Sequence, residues 1–114
     1  MSTISTHVLD TALGRPASGV RVILEQLDAK GAVVSLGVGV TDADGRVRDF
    51  VPAGNALSTG DYRLRFDTGD YFAANARETF YPSVTVDFRI ADPSGHYHVP
   101  LLVSPFGFST YRGS

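Results

Sequence analysis

At 114 residues and 12.2 kDa the chain has the length of one domain around one hydrophobic core, spanning residues 1–114, which excludes a multidomain machine. Hydrophobic residues at 43% against charged residues at 19% describe a folding sequence, and a formal charge of −2 excludes long-range attraction of nucleic acid. Cysteine is absent, which removes disulfides, thiolate metal sites and a cysteine nucleophile.

The first apolar run, Ile4 to Asp10, alternates Ile4, Thr6 and Val8 against Ser5, His7 and Leu9 before Gly14 and Pro16 break it. The next, Val20 to Leu27, sets Val20, Val22 and Leu24 against Arg21, Ile23 and Glu25. A third strand over Ala32 to Thr41 is weakened by Gly37 and Gly39, and Asp42-Ala43-Asp44-Gly45 then turns the chain into a fourth, Arg46 to Val51. Pro52 to Thr59 reads as loop. Gly60 to Asp67 places Tyr62, Leu64 and Phe66 on one face and Arg63 and Arg65 on the other.

A short helix is expected over Tyr71 to Glu78 with Asp70 as its N-cap, closed by Pro82. Val84, Val86, Phe88 and Ile90 form a further alternating run, ended by Asp92-Pro93-Ser94-Gly95. His96 to Val103 and Phe106 to Arg112 complete eight strands. Such short strands at regular spacing predict an all-β protein of two stacked antiparallel sheets with one helix. Pro100 is a misfit, because it cannot donate to a ladder from inside a strand. No segment approaches the roughly 20 apolar residues of a membrane span, and Met1-Ser2-Thr3-Ile4 carries no export signal, so a cytoplasmic location is expected.

Three histidines lie in strand-like runs, and period-two alternation puts His96 and His98 on one face with Tyr97 on the other. Each alone is an ordinary strand residue. Together they allow two kinds of chemistry. A His-X-His pair with a distant third histidine, His7, can build a three-His zinc site. Alternatively, an imidazole kept neutral by a nearby arginine, with Arg46 as the candidate, takes a proton from water near pH 7. The end of the chain, Tyr111-Arg112-Gly113-Ser114, is unusually strand-like for a terminus and offers a phenol, a guanidinium, a hydroxyl and the terminal carboxylate within one short reach.

Four segments carry a family likeness: Ser5-Thr6-His7-Val8-Leu9-Asp10, Thr41-Asp42-Ala43-Asp44-Gly45-Arg46, Thr68-Gly69-Asp70-Tyr71-Phe72, and His96-Tyr97-His98-Val99-Pro100-Leu101-Leu102, followed by Tyr111-Arg112-Gly113-Ser114. In these the chain resembles the transthyretin-like 5-hydroxyisourate hydrolases over essentially its whole length. The resemblance implies a prealbumin-like sandwich of two four-stranded antiparallel sheets with one short helix. It also implies a homotetramer with active sites at the dimer–dimer interface. The expected reaction is hydrolysis of 5-hydroxyisourate to 2-oxo-4-hydroxy-4-carboxy-5-ureidoimidazoline in urate breakdown, with no metal and no cofactor.

On this resemblance His7, Arg46, His98 and Ser114 are the expected catalytic residues, and His7, Arg46 and Tyr111 the expected substrate-binding ones. Pro100 belongs to the same motif. The alternative is a non-catalytic, transthyretin-like carrier of a small ligand.

Overall fold

The computed structural model describes residues 3–50 and 57–114. The strands follow the alternation. β1 (Thr3–Asp10) buries Ile4, Thr6, Val8 and Asp10, while His7 and Leu9 stay half-buried on the other face. β2 is the pair Arg15–Pro16, β3 runs Arg21–Leu27, β4 Val33–Val40, and β5 is only Arg46–Val47. The expected strand to Val51 is thus cut short at Val47, since Arg48, Asp49 and Phe50 are not in a strand; Val51 itself and most of the loop that follows lie outside the described residues. β6 (Gly60–Phe66) leads into helix α1 (Thr68–Ala74), and β7 (Val84–Ile90), β8 (His96–Ser104) and β9 (Gly107–Thr110) complete the chain.

One sheet has the order β2-β1-β8-β9, with β5 also pairing with β1, and the other has the order β4-β3-β6-β7. Their inner faces enclose a core that includes Val22, Leu24, Tyr62, Leu64, Phe66, Phe72 and Leu101, all fully buried. Each such Leu or Phe contributes roughly 1.5–3 kcal/mol by leaving water.

The structure revises the expected architecture in detail. The first sheet contains a fifth, two-residue strand, and its central pair is parallel: β1 and β8 run side by side from Thr3 opposite His96 to Asp10 opposite Val103. The other pairings are antiparallel. A parallel neighbour needs a long crossover, and the second sheet and the helix lie between these two strands in sequence.

The helix begins three residues earlier than expected and ends at Ala74, short of Glu78. Thr68, Tyr71 and Phe72 share its buried side, a one-turn spacing that draws the start back to the end of β6. Asp67, not Asp70, takes the N-cap position, and its side chain makes no cap bond. Its carboxylate instead pairs with Arg21 at 3.3 Å and Arg65 at 3.7 Å. The chain leaves the helix through Ala76, whose φ of 56° turns it sharply, and Arg77 then reaches Asp10. Burial raises the Asp10 carboxyl, but hydrogen bonds from Arg77, the Tyr71 hydroxyl and the Leu13 N–H outweigh it and hold the group below the usual carboxylate range.

Pro100 fits once the partners of β8 are known. The carbonyls of Val99 and Val103 accept bonds from Thr6 and Thr11 on the β1 side, while that of His98 accepts from Gly113. Alternation therefore turns the missing N–H of Pro100 towards the chain end, where the β8–β9 ladder stops at Leu101 opposite Thr110. The Pro100 carbonyl is satisfied by the Thr110 hydroxyl at 2.7 Å.

Candidate functional site

The outer face of the first sheet collects the polar residues that the sequence singles out. Asp42 folds the turn before β5 by accepting N–H bonds from Asp44 at 2.9 Å and Arg46 at 3.0 Å. Gly45, at φ 77°, lets this turn lie directly on β1: a Cβ there would stand 2.4 Å from the Val8 carbonyl oxygen. The Val8 N–H donates to Gly45 at 2.7 Å, and Arg46 is thereby paired opposite His7.

On the other side of β1 the parallel register places Thr3 opposite His96 and Ser5 opposite His98. Each hydroxyl meets the Nδ1 of the facing ring, Ser5 to His98 at 2.8 Å and Thr3 to His96 at closer range. The two imidazoles lie parallel, 6° apart in plane with centroids 6.5 Å apart. The expectation that they share a face holds.

The end of the chain continues alongside β8 in the register of β9, with Gly113 bridged to His98 and donating to its carbonyl at 2.9 Å. Arg112 turns to the other side and stacks its guanidinium 4.7 Å from the Tyr97 ring centre. Ser114 reaches the polar face, where it lines a cleft.

An open cleft of about 250 Å³ results, lined by Ser5, Arg46, Arg48, His96, His98 and Ser114 among others. Burial pushes the His98 pKa down, and the charges of Arg46, His7 and His96 add to it, against an opposing hydrogen bond from the ring to the Ser5 backbone. The neutral form of His98, which is able to accept a proton, is therefore favoured.

Of the expected site residues, Arg46, His98 and Ser114 meet in this cleft. His7 stands beside them on the same sheet face, paired with Arg46 and Pro100, within electrostatic reach of His98 but outside the lining. Tyr111 does not join them within one chain. It is 59% exposed and lines a second cavity of about 300 Å³ with Phe88, Tyr97 and Arg112, between β7 and the chain end, to which His98 also contributes but Arg46 and Ser114 do not. Ser5, Thr6, Val47 and Arg48 are the lining residues that sequence reasoning passed over. Ser5 shares a strand face with His7, but nothing in the sequence says which residue faces it.

Among the described residues no group of three or more His, Cys, Asp or Glu side chains could hold a metal ion, so the three-histidine alternative is not assembled. No helix among them is long and apolar enough to cross a membrane.

Known proteins match this chain along nearly its full length. The 5-hydroxyisourate hydrolase of Salmonella dublin is 48% identical over 111 residues, covering 97% of this chain and 80% of that protein. The structure of Klebsiella pneumoniae 5-hydroxyisourate hydrolase superposes with a TM-score of 0.87 at 41% identity, covering all of both chains. Sea bream transthyretin in complex with thyroxine has the same fold, with a TM-score of 0.88 at 32% identity over 97% of this chain and 94% of that one. With a family model matching residues 4–113 as well, the chain belongs to the HIUase/Transthyretin family.

Proposed function

We infer that this protein hydrolyses 5-hydroxyisourate, opening the ring amide between N1 and C6 to give 2-oxo-4-hydroxy-4-carboxy-5-ureidoimidazoline in urate breakdown. The observation that carries this reading is the His98 imidazole, its neutral form favoured by burial and neighbouring charge, in one cleft with Arg46 and Ser114, in a chain so similar to a 5-hydroxyisourate hydrolase. The substrate is planar, oxygen-rich and acidic, which suits a guanidinium fork among imidazoles.

In this mechanism His98 takes a proton from water as the water oxygen attacks C6. The carbonyl electrons move onto oxygen, where Arg46 offsets the charge. The tetrahedral species then collapses by breaking the C6–N1 bond, and N1 leaves with the proton that His98 gives back. His7, paired with Arg46, orients that arginine and exchanges protons with the site. Ser114 hydrogen-bonds the substrate or the water. The base and the oxyanion partner are both side chains, so the route needs no metal.

Tyr111 enters through assembly. We place the active sites of a homotetramer at its dimer–dimer interface, which brings the open cleft against a second copy. The exposed aromatic rings of Phe80 and Phe106, each 71% accessible, support such association. We place the reaction in the cytoplasm, which fractionation of producing cells tests.

The deciding experiment follows the ultraviolet decay of 5-hydroxyisourate, generated in place from urate by urate oxidase, in buffer containing a chelator. Accelerated decay that survives the chelator and disappears in His98→Asn is the expected result. No acceleration by folded protein makes the chain a small-ligand carrier, the reading that its likeness to transthyretin would then favour.

A further inference from the structure

The parallel register of β1 and β8 creates a relation that occurs twice. At one level Thr3 meets Nδ1 of His96, and at the next Ser5 meets Nδ1 of His98 at 2.8 Å. The strand pairing itself produces it, since residues facing each other on paired strands project to the same side. The resulting parallelism of the two rings shows that both are held in one orientation.

His98 is also restrained from another side. A Cβ on Gly113 would come within 2.5 Å of its Cδ2 and 3.3 Å of its Cγ, so the chain end lies directly against that ring edge. With Nδ1 engaged by Ser5 and the ring backed by Gly113, Nε2 is the nitrogen left to meet a water or substrate atom.

We propose that Ser5 is a positioning residue for the hydrolysis inferred above: its hydroxyl oxygen accepts a hydrogen bond from Nδ1–H of His98 and so keeps the lone pair of the ring on Nε2. A neutral imidazole carries its single proton on one nitrogen or the other, and only the bare one acts as a base. The partner at Nδ1 decides which.

Ser5 is suited to this by its burial, at 8% exposure, which keeps solvent from competing for the bond. A hydroxyl also brings no charge. A carboxylate in its place would favour the imidazolium and work against the groups around the ring, namely Arg46 on β5, His7 on β1 and His96 on β8. Serine thus orients the base without filling it with a second proton.

The test uses the whole chain with two variants, Ser5→Ala and Ser5→Thr, and two readouts. The first is the ¹⁵N spectrum of His98 above its titration range, assigned by its loss in His98→Asn. Wild type is expected to show a protonated Nδ1 and a bare Nε2, and Ser5→Ala to move the proton towards Nε2. The second is steady-state hydrolysis, in which Ser5→Ala lowers kcat about tenfold, the kinetic equivalent of one hydrogen bond, with KM little changed.

Ser5→Thr restores both readouts, because Thr3 already makes the same bond one level along the strand. Overturning results are a wild-type His98 protonated on Nε2, or a Ser5→Ala variant with unchanged spectrum and unchanged kcat. The spectrum needs no substrate, so absence of hydrolysis by wild type refutes the proposed function while the position of the proton still decides the role of Ser5.

Discussion

Replacing Gly113 by alanine should disable the site while leaving the fold intact. The φ of Gly113 lies outside the left-handed region, so glycine is required there by space alone. An added Cβ would stand 2.5 Å from His98 Cδ2 and 3.3 Å from the Pro100 ring. Carbon atoms rest at about 3.5–4.0 Å, so something must move by roughly 1 Å. If the imidazole moves, it strains its 2.8 Å bond to Ser5; if the chain end moves, Gly113 loses its 2.9 Å bond to the His98 carbonyl and Ser114 leaves the cleft.

Either displacement misplaces by about 1 Å a group that the proposed mechanism uses, which would cost on the order of 100-fold in kcat/KM. The chain end lies outside the core, so the melting temperature should stay within about 2 °C of wild type, as for a surface change below 0.5 kcal/mol. Progress curves of 5-hydroxyisourate decay and a thermal melt on the same preparation check both halves. A Gly113→Ala protein with wild-type kcat/KM would refute the argument that His98 and the chain end are packed against each other in the working site.

Three further outcomes follow from other contacts. The kcat/KM of wild type should fall with a single proton as pH drops through a value below the ordinary 6.5 of histidine, because burial and neighbouring charge favour neutral His98; a pH profile whose acidic limb lies above 6.5 would contradict this. Asp10→Asn should cost about 3–5 kcal/mol in denaturant unfolding at pH 7, since it leaves the Arg77 guanidinium facing a neutral group at the edge of the core. In wild type the folded carboxyl of Asp10 titrates below its unfolded value of 3.8, so its stabilisation is complete above that pH and is lost as pH falls through the lower, folded value. Gly45→Ala should destabilise by about 2–4 kcal/mol, combining an unfavourable φ with a Cβ only 2.4 Å from the Val8 oxygen; a melt unchanged from wild type would show that the turn relaxes.

Much of this protein is written in local pattern. Alternation of apolar and polar residues determined the positions of the long strands, the shared face of His96 and His98, and the inward side of Tyr62, Leu64 and Phe66, because a strand repeats every two residues whatever it pairs with. The Asp42 to Gly45 turn was equally legible, since its residue types supply the side-chain acceptor and the positive φ that it uses. The helix was located but misaligned, because its start depends on where Thr68, Tyr71 and Phe72 find the core and on Asp67 being drawn away by Arg21 and Arg65.

What only the tertiary structure decided is which strands lie together, in which direction and at which register. A period-two pattern reads the same forwards and backwards and survives a shift of two residues, so it cannot distinguish the parallel β1–β8 pair from an antiparallel one. That pairing seats Ser5 on His98, the β5 bridge seats Arg46 on His7, and the register of the chain end seats Gly113 and Ser114 against His98. Each contact joins residues distant in sequence, with a geometry that depends on how two whole sheets bury their inner faces.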